Sequence, residues 1–219
     1  MTLLRALPLG VVSLLACSSV PTYVLDNDAG WVADAAIATD AQVASDVAPP
    51  GLQCSKCLMF TSSWAGPGDL FGAGGVERVD ALCTQLGRNI PGKQERVWKA
   101  LLGTSTSTPY DRLISPPDGW YSVPQKDNQV QYKLFKSVGD MMTSPAPAAL
   151  QISETGEGIS EPRRVWTGGS TKPSPANCVN WTDKFGEQGV IGDPSSGKGW
   201  LEAGTEVCNA FGRVYCVEQ

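Results

Sequence analysis

Gly212-Arg213-Val214-Tyr215-Cys216-Val217-Glu218 is rich in β-branched and aromatic residues, contains no proline, and reads as a strand that carries a cysteine. Working outward, Arg164-Val165-Trp166-Thr167 and Cys57-Leu58-Met59-Phe60-Thr61 have the same character. Trp120-Tyr121-Ser122-Val123 and Val130-Gln131-Tyr132-Lys133-Leu134-Phe135 also predict strands, the second by its alternation. Arg96-Val97-Trp98-Lys99-Ala100-Leu101-Leu102 lies between Gly92 and Gly103 and is read as one more. Val76, Val79, Leu82, Cys83 and Leu86 recur at helical spacing, and Gly87 supplies a stop, so a helix is predicted over 75–87. Residues 139–162 read as loop with one helical turn. Scattered Gly and Pro cut the rest into short pieces, which argues against a helical bundle. The predicted class is α+β with long loops.

The N-terminal region sets the compartment. Met1-Thr2-Leu3-Leu4-Arg5 leads into an apolar run from Ala6 to Ala16, which has the layout of a secretory signal. The run is too short to cross a bilayer, which takes about 20 apolar residues. Leu14-Leu15-Ala16-Cys17 resembles the lipobox of bacterial lipoproteins. That resemblance implies cleavage before Cys17, lipidation of Cys17 and anchoring to a membrane of the cell envelope. With Ser18 next, it implies the outer membrane. The competing reading is an ordinary secretory signal with a cysteine there by chance. Residues 1–16 are thus read as signal peptide. Residues 17–52 are read as the lipidated cysteine and a flexible acidic tether. The tether carries Asp26, Asp28, Asp34, Asp40 and Asp46, no Lys or Arg, a lone Trp31, and Pro49-Pro50-Gly51 at its end. Residues 53–219 form the domain.

Composition excludes several functions. The sequence contains no histidine, which removes Ser-His-Asp and Cys-His catalysis and the commonest transition-metal ligand. The formal charge of −5 resides mostly in the tether. Of 17 Lys and Arg only Arg5 precedes residue 53, and of 22 Asp and Glu five do, so the domain carries 16 against 17 and is close to neutral. No basic stripe stands out, and the pair Arg163-Arg164 reads as a solvated turn, so no nucleic-acid partner is expected. Setting Cys17 aside, six cysteines remain in an exported chain, which reads as a disulfide framework with 15 possible pairings.

The run Val165-Trp166-Thr167-Gly168, Cys178-Val179-Asn180-Trp181-Thr182, Cys208 and Arg213 to Glu218 resembles the end of an endostatin-like domain. Leu82-Cys83-Thr84-Gln85, Gly92 and Val97 to Leu102 resemble its helix cysteine and following strand. The likeness extends over residues 57–219, weakest over 105–162, to bacterial lipoprotein-type surface domains of unknown function with a C-type-lectin-like fold. It implies nested disulfides, Cys83 with Cys216 and Cys178 with Cys208. Loop-closure entropy makes the first worth about 5 kcal/mol and the second about 3.7 kcal/mol. Cys54 and Cys57 then remain for each other. Cys-x-x-Cys also reads as a redox motif or half a zinc site, although it precedes a strand here and no second pair completes a zinc site.

Other motifs carry weaker readings. Gly192-Asp193-Pro194-Ser195-Ser196-Gly197-Lys198-Gly199 has phosphate-loop spacing but lacks the hydroxyl after the lysine, and reads as a surface turn. Asn180-Trp181-Thr182 is a glycosylation sequon by pattern, with Trp181 read as core. Glu161-Pro162-Arg163 and Asn180-Trp181-Thr182-Asp183 depart from the paired motifs of calcium-dependent lectins, so no metal or cofactor is expected. Glu154, Glu157, Glu187, Asp193, Glu202 and Glu206 are the carboxylates available to a glycosidase-type pair, and nothing in their spacing selects two. Trp64, Trp120 and Trp200 are candidate ligand platforms, each more in keeping with a core. The expectation is a lipid-anchored, non-catalytic lectin-like recognition or adhesion module with a glycan, matrix or envelope-protein ligand. The alternatives are a structural envelope lipoprotein and a carboxylate-dependent hydrolase.

Overall fold

The computed structural model describes residues 57–63, 66–67, 74–182 and 187–219. The signal, the lipobox with Cys17, the tether, Cys54 and Trp64 lie outside the described residues. In chain order the strands are β1 (Cys57–Thr61), β2 (Gly66–Pro67), β3 (Trp98–Ala100), β4 (Trp120–Ser122), β5 (Lys133–Phe135), β6 (Val165–Trp166), β7 (Gln188–Gly192), β8 (Gly204–Val207) and β9 (Phe211–Glu218). The helices are α1 (Gly75–Gly87), between β2 and β3, and α2 (Val138–Thr143), after β5. The core is mostly sheet, and the fold mixes helix and strand.

β9 organises the sheet. Its Phe211–Val214 half pairs with β2 and β6, and its Tyr215–Glu218 half pairs with β1 and β3. The order through the sheet is β5-β4-β1-β9-β6-β7-β8. β1 and β9 are apolar on both faces because both faces are covered. Leu58, Phe60, Val214 and Cys216 face one layer with Val76 and Val79 of α1 and Trp98. Met59, Tyr215 and Val217 face a second layer with Trp120, Phe135, Met141, Leu150 and Trp200. Cys83 of α1 is bonded to Cys216 of β9, and Cys178 to Cys208, the nested arrangement. Cys57 is disulfide-bonded as well.

Both ends of β9 bury a charge. Glu218 is fully buried and accepts from Lys93 Nζ at 2.8 Å and from Leu58 N–H at 2.8 Å, with Arg96 Nε 3.4 Å away. Arg213 is 3% exposed, and its guanidinium donates to the carbonyls of Pro162, Ser62, Ser63 and Ser160. Burial lowers the Arg213 pKa, and nearby Glu154 and Glu161 oppose that shift. One side chain thereby satisfies loop carbonyls from two distant segments, which no regular ladder serves.

Several expectations need correction. Of the strand expected over 96–102 only Trp98–Ala100 is strand; Leu101 N–H still donates to the Tyr215 carbonyl, and the run ends where Leu102 N–H turns back onto the Ala100 carbonyl. Of 130–135 only Lys133–Phe135 is strand; Val130 and Tyr132 are exposed, and Gln125 N–H closes a turn on the Val130 carbonyl. β7 and β8 lie outside the strands expected from the sequence, and they contain Gly189, Gly192 and Gly204. The first two glycines are required by close approach. A Cβ on Gly189 would sit 2.8 Å from Trp166 and from Cys178 Sγ, and one on Gly192 would sit 1.8 Å from the Trp200 carbonyl oxygen. The stretch 139–162 contains α2 and a 3₁₀ turn over Ala148–Gln151, close to expectation.

Candidate functional site

The most unusual backbone in the described chain is Cys178–Trp181. Four successive non-glycine residues have φ of 52, 52, 53 and 68°. The hydrogen bonds from Trp181 N–H to the Asn177 carbonyl (2.8 Å) and from Thr182 N–H to the Cys178 carbonyl (3.0 Å) make this one left-handed helical turn. Left-handed helix costs L-residues roughly 1–2 kcal/mol each, most for a β-branched residue such as Val179. The surroundings enforce it. The Cys178–Cys208 disulfide fixes one end, and the Asn177 side chain accepts from Asn180 N–H at 2.8 Å. Trp181 is buried against Trp166 and donates Nε1–H to the Gly103 carbonyl at 2.9 Å. Strain of this kind persists where the fold over-determines it, and it gathers at functional sites.

The turn forms one wall of a cleft of about 560 Å³, lined by Gly74, Gly75, Val76 and Glu77 at the start of α1, by Thr104, Thr106, Ser107 and Arg112, and by Asn180 and Thr182. The 104–107 loop is a turn tied from within, with Thr104 N–H donating to the Ser107 carbonyl at 2.8 Å. Thr104 Oγ1 accepts from Thr106 N–H and Ser107 N–H, and Ser105 N–H donates to Asn180 Oδ1 at 2.9 Å. Exposed Val179 (47%) stands beside it. A second cleft of about 470 Å³ shares Glu77 and Arg112 with the first and continues past Asp80, Lys99, Asp111, Leu113 and Ile114. Arg112, at the junction, donates to Asp80 and to the Ala100 carbonyl (3.2 Å). Burial pushes the Asp80 carboxyl above its ordinary value despite the adjacent guanidinium. The result is one groove lined mainly by hydroxyl, amide and charged groups on a disulfide-fixed frame.

No family model matches this chain, and no curated protein is similar to it at a significant level.

The structure disperses the other candidates. Trp120 and Trp200 are buried; Trp120 Nε1–H donates to the Glu218 carbonyl (3.0 Å), and Trp200 stacks on Phe135 and meets Tyr215 edge-on. Neither is a ligand platform. Trp181 is core, as expected, yet its neighbours Val179 and Asn180 are on the surface. In the 192–199 turn, Asp193 Oδ1 accepts both Ser195 N–H and Oγ–H, so the aspartate occupies donors that a phosphate would need. Five of the six carboxylates have separate partners: besides Asp193 with Ser195, Glu154 takes Ser63 N–H and Oγ–H, Glu157 takes Lys126, Glu202 takes Ser170 and Glu206 takes Arg164. Glu187 is exposed, and no two of the six line the same described cleft. Glu161-Pro162 is a cis peptide leading to Arg163, which pairs with Glu161, and Asp183 lies outside the described residues. Among the described residues, no group of three or more His, Cys, Asp or Glu could hold a metal ion.

Sequence reasoning missed the groove. Its raw signals were the hydroxyl run Thr104-Ser105-Thr106-Ser107-Thr108 and Asn180-Trp181-Thr182, which are 75 residues apart at the Ser105–Asn180 hydrogen bond.

Proposed function

We propose that this protein is a lipid-anchored component of the bacterial outer membrane, tied by Cys17. Its acidic tether presents a C-type-lectin-like, endostatin-like domain, and that domain recognises a glycan, a matrix component or an envelope protein without catalysing a reaction. The left-handed turn Cys178–Trp181 carries this reading. A fold that maintains several kcal/mol of backbone strain, roughly 4–8 kcal/mol by the per-residue cost, at the rim of a cleft of about 560 Å³ is maintaining a shape. The lining suits that role. Hydroxyls, an amide, and paired and unpaired charges offer many directional hydrogen bonds, so recognition there is polar and wet, with modest apolar burial. The nested disulfides support the likeness in fold, and the lipobox supports the anchor.

The test is a screen of the full-length chain against a glycan array and a panel of matrix and envelope proteins, with calcium and with chelator. Specific binding that is lost on Thr106→Ala with Asn180→Gly supports the reading and places the ligand in the groove. Binding that survives those changes moves the ligand elsewhere. A blank result in both conditions leaves a structural envelope role as the better account.

A further inference from the structure

A separate cleft of about 330 Å³ lies between the start of β1, the turn after α1 and the β4–β5 hairpin, and shares no wall residue with the groove. Its floor is apolar: Leu58, Ile90 and Val123 are all nearly fully buried. Its charged groups are already engaged. Lys93 is bound to Glu218 and Lys126 to Glu157, while the buried Glu154 carboxylate accepts from Ser63 and interacts with the Arg213 guanidinium. What remains unpaired on the rim is neutral. The Asn89 side chain has no hydrogen bond among the described residues, and Gln129 and Gln131 use only their Nε2 groups, leaving both carbonyl oxygens open. The frame is firm, since Lys126 N–H donates to the Gly156 carbonyl at 3.0 Å and a Cβ on Gly156 would meet the Pro124 carbonyl oxygen at 2.4 Å.

We infer that this cleft binds an acetamido group, with its methyl on the Leu58–Ile90–Val123 floor and its secondary amide hydrogen-bonded to the side-chain amides of Asn89, Gln129 and Gln131. A charged ligand finds no free counter-charge among these walls. A purely hydroxylated one leaves the apolar floor uncovered. A small alkyl group joined to an amide matches both surfaces, and it occurs on amino sugars and on acylated peptides. This second site stands apart from the groove, so either can fail without the other.

The test titrates the full-length chain with the N-acetylglucosamine trimer, the glucose trimer of the same linkage and N-acetyl-alanine methylamide, reading the methyl NMR signals of Leu58, Ile90 and Val123. The expected result is that at least one acetamido ligand shifts those methyls, with the glucose trimer about tenfold weaker or silent. A response to the sugar alone makes an amino-sugar polymer the source; a response to the peptide amide makes it an acylated peptide; both sustain the inference. Asn89→Ala with Gln131→Ala, both exposed positions, should weaken binding about tenfold with the thermal midpoint unchanged. Equal affinity for the two trimers, no methyl response to any probe, or full affinity in the double variant overturns it.

Discussion

β9 and the Cys178–Trp181 turn are both tied by a disulfide and both packed on tryptophan, yet they are built in opposite ways. In β9 every level agrees: β-forming residues, two covered faces, paired edges and a buried counter-charge at the Glu218 end. In the turn, local preference opposes the fold at four successive residues, and only tertiary contacts hold it. The strand carries stability, and the turn holds a shape that stability alone would not select. Mutations should separate the two roles.

The largest effect is expected in the strand. Replacing Cys83 and Cys216 together with Ala removes the clamp between α1 and β9 and should cost up to about 5 kcal/mol in urea unfolding. Arg213→Ala strands four carbonyls and should cost about 3 kcal/mol, with no rescue by Lys, whose single ammonium cannot reproduce the fork. A loss below 1 kcal/mol would mean that the irregular segments 62–63 and 160–162 hold themselves.

The turn should respond with the opposite sign. Val179→Gly removes an exposed β-branched side chain from a left-handed position and should raise stability by about 1 kcal/mol. If Val179→Gly destabilises the protein, the strain account of the turn fails.

The smallest effect belongs to α2, away from both regions. Hydrogen bonds from Ser144 and from Lys136 N–H, the Ser144 bond first, hold the Asp140 carboxyl below its ordinary value. A carboxyl depressed in the folded state stabilises above its unfolded pKa, and that contribution disappears as the pH falls through the folded pKa. Asp140→Asn should therefore cost a few tenths of a kcal/mol at neutral pH, and the difference between variant and wild type should vanish in acid below the ordinary carboxylate range.

The same contrast governs what the sequence discloses. β1, α1 and β9 are legible because their periodicity and their burial coincide. β7 and β8 are hidden because Gly189 and Gly192 are there for the side chains of Trp166 and Cys178 and the Trp200 carbonyl, contacts made by residues distant in the chain. The turn is hidden more deeply. Asn177 and Asn180 tolerate left-handed or capping geometry, but Val179 and Trp181 argue against it, and the contacts that override them come from Gly103, Ser105 and Cys208. The groove inherits that obscurity, since its walls meet only once the sheet is assembled.

The central claim is that the strained turn shapes a recognition site. It is tested most directly by screening the wild type and Asn177→Ala, which removes the side chain that accepts Asn180 N–H and holds the turn, side by side on the glycan and protein panels, with the thermal midpoint of each recorded. Ligands bound by the wild type should be lost by the variant while it remains folded. Undiminished binding by the folded variant would contradict the claim.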